Sequence, residues 1–264
     1  MSNILVIKFG GHAMSDNDGL FAAKIAAAIA TGTDIVIVHG GGPQINNALQ
    51  TGGIQSEFVG GFRVTTPEIF DVVERVLSTE VGPKVAEKLT EAGVPALAIS
   101  GRHAGILFAQ KQSQLIDGTN VDLGLVGEIS KVDVEAISLL LAKNVVPVIS
   151  PIASDISSGG GLNVNADTAA AGIAGALDCQ ELIIMTDVAG IYRNWPDTTS
   201  LIESISASDL AAIKSSFSDG MAPKVQASLD AISNGAKSVR VIDGRDPVAL
   251  EQALLHIGGT VVNA

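Results

Sequence analysis

Asp34-Ile35-Val36-Ile37-Val38-His39-Gly40-Gly41-Gly42-Pro43 is the stretch on which the fold turns. Four consecutive β-branched residues without a polar interruption describe a strand buried on both faces, as in a parallel sheet covered by helices. The glycines end that strand, and Pro43 suits the first turn of a helix. The same unit recurs outward from here. Strand-like runs fall at Ile4–Ile7, Asp34–Val38, Ala96–Ser100, Val145–Ser150, Leu182–Thr186 and Ser238–Ile242. Helical patterns fall at 18–30, 43–52, 67–92, 132–143, 167–177, 206–216, 220–234 and 247–257. This alternation predicts an α/β fold, a three-layer sandwich around a largely parallel central sheet. Between Gly105 and Lys131 the pattern breaks into short pieces separated by Asp117-Gly118 and Gly124, which predicts a hairpin-rich excursion. The stretch Ser157-Ser158-Gly159-Gly160-Gly161 reads as a loop near the junction of two lobes, 1–165 and 166–264.

Composition narrows the function. With 264 residues, 47% hydrophobic and 17% charged, the chain is long and apolar enough to bury a core. Net charge is −12 and aromatics make up 3%, which argues against nucleic acid as a partner, since neither a broad basic surface nor a set of stacking rings is present. An anionic ligand must therefore meet a few focused cations. Cys179 is the lone cysteine, which excludes an intramolecular disulfide and suits a small apolar packing role. No stretch reads as a signal peptide, and none approaches the roughly 18 apolar residues of a membrane span. A cytoplasmic location without membrane contact is expected.

The strand ends carry the chemistry. Lys8-Phe9-Gly10-Gly11 presents a lysine and two glycines at the first strand's carboxyl end, where backbone N–H groups and a point charge converge on a phosphate; a plain Gly-Gly turn is the competing reading. His39-Gly40-Gly41-Gly42-Pro43 opens a helix whose N-terminus suits a carboxylate or phosphate, with His39 itself read as structural. Neither segment has the spacing of a Walker A loop or of GxGxxG. Gly61-Phe62-Arg63-Val64-Thr65-Thr66-Pro67 places Arg63 before a helix capped by Thr66 or Thr65, and an arginine there either forks onto a carboxylate or serves a structural ion pair. Leu162-Asn163-Val164-Asn165-Ala166-Asp167 enters an Ala-rich helix with Asn165 or Asp167 as cap. Asp219-Gly220-Met221-Ala222-Pro223-Lys224 brings a second lysine to another helix start.

The order of these motifs, with Thr186-Asp187-Val188-Ala189-Gly190-Ile191-Tyr192 between the last two, resembles that of the acetylglutamate kinases, members of the amino acid kinase family, over essentially all 264 residues. Gly-x-Arg-Val-Thr and Asn-x-Asn-Ala-Asp point to that member; the glycine motifs are shared with aspartate, glutamate, carbamate and uridylate kinases. Phe58-Val59-Gly60 departs from relatives that carry lysines or an asparagine there, and Asn194–Ser200 is a variable segment. The resemblance implies an amino acid kinase-like fold and transfer of the ATP γ-phosphoryl group to N-acetyl-L-glutamate in arginine biosynthesis; the alternatives are a kinase for another small carboxylate or for carrier-linked aminoadipate, and a non-catalytic nucleotide-responsive regulator of the same fold. It implies catalytic roles for Lys8, Gly11, Asp167 and Lys224, with acetylglutamate bound by Gly41, Gly42, Arg63 and Asn163 in the first lobe. It implies ATP in the second lobe, held by Thr186, Asp187, Gly190 and Tyr192 with Lys8, Gly10, Gly11 and Lys224. Mg2+ is expected to arrive with ATP, held by phosphate oxygens and water rather than by a protein cage. It also implies a homodimer. A stripe of Ile69, Val72, Val73, Val76 and Leu77 on one helix is the candidate two-fold surface. Arginine-sensitive relatives add a helix before the first strand, where this sequence has Met1-Ser2-Asn3, so strong inhibition by arginine is not expected.

Overall fold

A computed structural model describes residues 3–10, 18–115, 118–217 and 221–264. The chain runs through β1 (Ile4–Phe9), α1 (Leu20–Ala30), β2 (Asp34–His39) and α2 (Gly42–Thr51) to a small hairpin of β3 (Phe58–Val59) and β4 (Phe62–Arg63). A helical rod follows, made of α3 (Pro67–Arg75), a π-helical turn at Val76–Val81 and α4 (Gly82–Glu91). Next come β5 (Ala96–Ser100), β6 (Leu107–Lys111), β7 (Val126–Val132), α5 (Glu135–Leu141), β8 (Val146–Ser150), β9 (Ile152–Asp155) and β10 (Gly161–Val164). The remainder is α6 (Ala166–Ala176), β11 (Glu181–Thr186), β12 (Ser204–Ser206), α7 (Ala207–Ile213), α8 (Ala222–Ser233), β13 (Ser238–Asp243), α9 (Pro247–Leu254) and β14 (Thr260–Asn263).

Eight strands form one sheet in the order β12-β14-β13-β11-β1-β2-β8-β5, parallel throughout except where β13 meets β14. Its unbroken apolar strands follow from burial on both faces. Leu5, Ile7, Phe9, Ile35, Ile37, Ile183 and Met185 pack under α1, α4 and α9, while Ile4, Val6, Val36, Val38, Leu182 and Ile184 face α6 and its neighbours. The expected three-layer sandwich is therefore present. Its strands come from both halves of the chain, so 1–165 and 166–264 share one continuous sheet. Cys179 packs in this core, and burial pushes its thiol up to about 12.

Two expectations change in detail. The hairpin-rich excursion contains β6 and β7, but β9 and β10 join them in a closed four-stranded barrel, and the Ser157–Gly161 stretch is largely the turn between those last two strands. That closure rests on pairings between segments far apart in sequence, including β6 with β9, which no local pattern encodes. The helix expected at 67–92 is interrupted by the π-helical turn. Pro83 lacks an N–H and its ring would crowd the Thr79 carbonyl in a regular α-helix; the wider turn lies just before it. The stripe expected to face a partner is instead largely core, since Ile69, Val73, Val76 and Leu77 are buried against Ile45, Leu49, Phe70 and Ile152. Among the described residues no helix is long and apolar enough to cross a membrane.

Candidate active site

β1 and β2 lie side by side with Lys8 opposite Val38 and Phe9 opposite His39, so their glycine-rich exits leave the sheet at one level. Lys8 occupies the strand face that turns toward α6. Gly10 permits its conformation: a Cβ there would lie 2.8 Å from Lys8 Nζ, in the space the ammonium occupies. Asn165 caps α6 by accepting from the Asp167 and Thr168 amides at 2.8 and 3.4 Å, leaving the Asp167 carboxylate to another task. Lys8 Nζ sits 3.0 Å from Asp167 Oδ1, and Lys224 Nζ, from the first turn of α8, donates to Oδ2 at 3.0 Å. All three side chains are at least four-fifths buried. Burial pushes the Asp167 carboxyl up, but the two ammonium groups outweigh it and hold the group below the usual carboxylate range. One carboxylate thus bridges two lysines from opposite ends of the chain.

Arg63 forms the other pole. Gly60 and Gly61 both take positive φ, 56° and 84°, which allows the two-residue turn of the β3–β4 hairpin. Arg63 is buried at its end. Nη1 donates to Ser56 Oγ at 2.5 Å, Nη2 donates to Asn46 Oδ1 at 2.6 Å, and the guanidinium lies 4.6 Å from the Phe58 ring centre. Burial lowers its pKa from the ordinary value, yet a guanidinium stays protonated at neutral pH. Asn163 donates to Thr65 Oγ1 at 3.2 Å, tying β10 to the segment after Arg63.

A cleft of ≈ 300 Å³ joins the two poles. Lys8, Gly10, Asp167 and Lys224 line it, as do Gly41, Gly42, Arg63 and Asn163. Three cations against one carboxylate leave two net positive charges in an acidic protein, the focused cationic site that composition demanded. α2 starts at Gly42 with no side-chain cap, so its N-terminal donors also favour an anion. Thr186, Asp187, Gly190 and Tyr192 do not line this cleft. They lie at and beyond the carboxyl end of β11, the strand beside β1, where Lys8 pairs with Ile184. The Thr260 hydroxyl fixes that loop by accepting from the Ile191 amide at 2.8 Å, and it fills the space that a Cβ on Gly190 would need. Gly11 lies outside the described residues, as do Asp117, Asp219 and Gly220.

The amino acid kinase family profile matches residues 3–243. The chain belongs to this family. It is similar to a protein of Kineococcus radiotolerans named acetylglutamate kinase, 45% identical over 98% of this chain and 90% of the other. An Arthrobacter sp. (strain FB24) protein of the same name is 46% identical over 92% and 81%. The solved structure of smu.665 from Streptococcus mutans superimposes with a TM-score of 0.82 at 27% identity, covering 100% of both chains.

In this amino acid kinase, His39 is not a base facing the cleft. It is fully buried, its Nδ1 donates to the Gly40 carbonyl at 2.9 Å, and burial pushes its pKa down to about 4 despite that bond. Sequence reasoning missed Asn46, Ser56 and Phe58 as partners of Arg63, and Leu77, which lines the cleft and fills the space beside Gly41. Phe58 was noticed only as a departure from relatives. Asn46 and Ser56 carry no signal without the hairpin that brings Arg63 to them.

Proposed function

We propose that the protein transfers the γ-phosphoryl group of ATP to the side-chain carboxylate of N-acetyl-L-glutamate, forming an acyl phosphate at an early step of arginine biosynthesis. Relatives at 45 and 46% identity bear the name of that activity. The observation that carries the reading is a buried arginine without a carboxylate partner among the described residues, in the same cleft as a Lys-Asp-Lys bridge. Such a site offers one charge to a carboxylate that stays put and two to a phosphoryl group that moves.

The acceptor carboxylate is ionised at neutral pH, so it attacks the γ-phosphorus without a general base, and neutral, buried His39 is not required. As the new O–P bond forms, the bond to the β-phosphate oxygen breaks and its electrons stay with ADP. Lys8 and Lys224 stabilise that spreading charge, and Asp167 keeps both ammonium groups in register. Backbone amides of Gly10, Gly11, Gly41 and Gly42 add donors. Arg63 and Asn163 hold acetylglutamate with Gly41 and Gly42, and Thr186, Asp187, Gly190 and Tyr192 hold the nucleotide. In this reading 1–165 is the acceptor-binding lobe and 166–264 the ATP-binding lobe. Mg2+ would neutralise phosphate oxygens. In this reading the ion is held chiefly by phosphate oxygens and water, as is usual for a magnesium ion that arrives with a nucleotide.

The enzyme works in the cytoplasm as a homodimer. With the α3 stripe committed to the core, the surface that favours a two-fold partner is the outer edge of β5, the last strand of the sheet, with exposed Leu97 and the groove it shares with Pro83 and Lys84 of α4. Coupled ADP release measured with acetylglutamate, glutamate, aspartate, carbamate and uridylate tests the assignment. Turnover strongest with any acceptor but acetylglutamate overturns it.

A further inference from the structure

Among the described residues two arginines are buried, and their surroundings differ in kind. Arg240 is paired with the buried Glu181 at 2.9 Å and donates to the carbonyls of Gly258 and His256. Arg63, equally buried, is held by an amide oxygen, a hydroxyl and an aromatic face, all formally neutral. In a chain with 28 acidic residues, an ion pair was available as an alternative means of holding it. A carboxylate at either contact would have satisfied the same hydrogen bonds and offset the desolvation of the charge more fully.

We infer that Asn46, Ser56 and Phe58 are positioning residues which hold Arg63 in a neutral cage, fixing the guanidinium while leaving its charge unspent for the acceptor's non-reacting carboxylate. The geometry supports a division of labour within the fork. Each terminal nitrogen gives one N–H to the cage, one to Ser56 and one to Asn46, and each retains a second. The Phe58 face adds cation–π attraction and covers one side of the guanidinium without adding an anion. The three contacts come from different places: Asn46 from α2, Ser56 from the loop before the hairpin, and Phe58 from β3. The same helix whose N-terminus lies at the cleft therefore also orients the arginine, so one element sets both the acceptor's anchor and the donors at the exit of β2.

This inference rests on the proposed acceptor, and the test separates the two. Asn46→Asp keeps an oxygen where Arg63 donates but supplies a carboxylate that cancels its charge. A purely structural contact would be preserved or strengthened, so melting temperature should hold or rise. KM for acetylglutamate should nevertheless rise about tenfold or more, the affinity carried by one hydrogen bond to a charged group, while KM for ATP stays within about twofold. Asn46→Ala, which loses orientation but not charge, should raise the acceptor KM by a smaller factor. Calorimetric binding of acetylglutamate to the same proteins gives a readout independent of turnover. Ser56→Asp repeats the substitution at the other contact should Asn46→Asp fail to fold. An acceptor KM and binding constant within twofold of wild type in the folded Asp variant overturn the neutral cage. Wild-type protein that neither binds nor phosphorylates acetylglutamate overturns the acceptor assignment instead, and with it the cage as its anchor.

Discussion

Replacing Asp167 by Asn removes the negative charge that holds Lys8 and Lys224 together while keeping nearly the same shape. Each ammonium lies 3.0 Å from a carboxylate oxygen, and the side chains of the two lysines are only 13% and 17% exposed. At an effective dielectric constant of about 20, Coulomb's law gives an attraction of about 5 kcal/mol for each such pair. Most of that is offset in the native protein by desolvation of the three groups, so the bridge's net worth is far smaller than the gross attraction. The variant keeps the desolvation of both lysines but lacks the attraction that compensates it. It leaves two buried cations with no partner between them, and removing one member of a buried pair typically costs about 3–5 kcal/mol. Wild type and Asp167→Asn should therefore differ by about that much in urea unfolding at pH 7. The sign in pH follows from the depressed carboxyl. Its contribution is fully present above the unfolded value near 4 and is lost as pH falls through the lower folded value, so the two proteins should converge only in strong acid.

Activity should fall further than stability explains. Misplacing a catalytic group by about 1 Å costs on the order of a hundredfold in rate, and here both lysines lose their anchor. At a temperature where circular dichroism shows the variant folded, kcat should drop by about a hundredfold or more, with KM for acetylglutamate changed by less than about threefold. A folded Asp167→Asn enzyme with kcat within tenfold of wild type would refute the role of the carboxylate as the organiser of the two ammonium groups. A large loss of acceptor affinity with intact kcat would move Asp167 from the transferring phosphoryl to acceptor binding.

Arg63→Lys keeps the charge but loses the planar fork held by Ser56 and Asn46, so KM for acetylglutamate should rise strongly while KM for ATP changes little; equal effects on both substrates would remove Arg63 from the acceptor pocket. A methyl group on Gly41 would collide with Leu77 Cδ2, so Gly41→Ala should cost most of the activity and Leu77→Ala should restore part of it in the double variant, whereas additive losses would show that the two do not touch in solution. His39 is held neutral with its pKa pushed from 6.5 to about 4, so its share of stability, about 3 kcal/mol, is present above pH 6.5 and lost on acidification toward pH 4; His39→Gln should flatten that slope in urea titrations, and an unchanged slope would refute it.

The parts of this protein that were legible in the sequence are those encoded locally. The buried strands announce themselves because Ile35–Val38 and Leu182–Ile184 are apolar on both faces. Asn165 and Thr66 act as caps because their side chains bond amides two and three residues away. Lys8 and the glycines at strand ends were legible for the same reason, since a parallel sheet delivers whatever follows its strands to one edge. The four-stranded barrel was not legible, because β6 meets β9 across more than forty residues and each strand is too short to declare its partner.

The surroundings of Arg63 show where the limit falls within the site itself. Gly61-Phe62-Arg63-Val64-Thr65 marks the arginine as interesting, but an exposed surface ion pair and a buried anchor share that pattern. What separates them is tertiary. The hairpin turn at Gly60-Gly61 folds Phe58 back over the guanidinium, and α2 brings Asn46 to it from 17 residues away. The consequence for specificity is physical. An arginine held by neutral dipoles keeps its desolvation penalty until an anion arrives, so the penalty is relieved by binding and contributes to affinity for a carboxylate over a neutral isostere. An arginine already paired, as Arg240 is with Glu181, has no such preference to give.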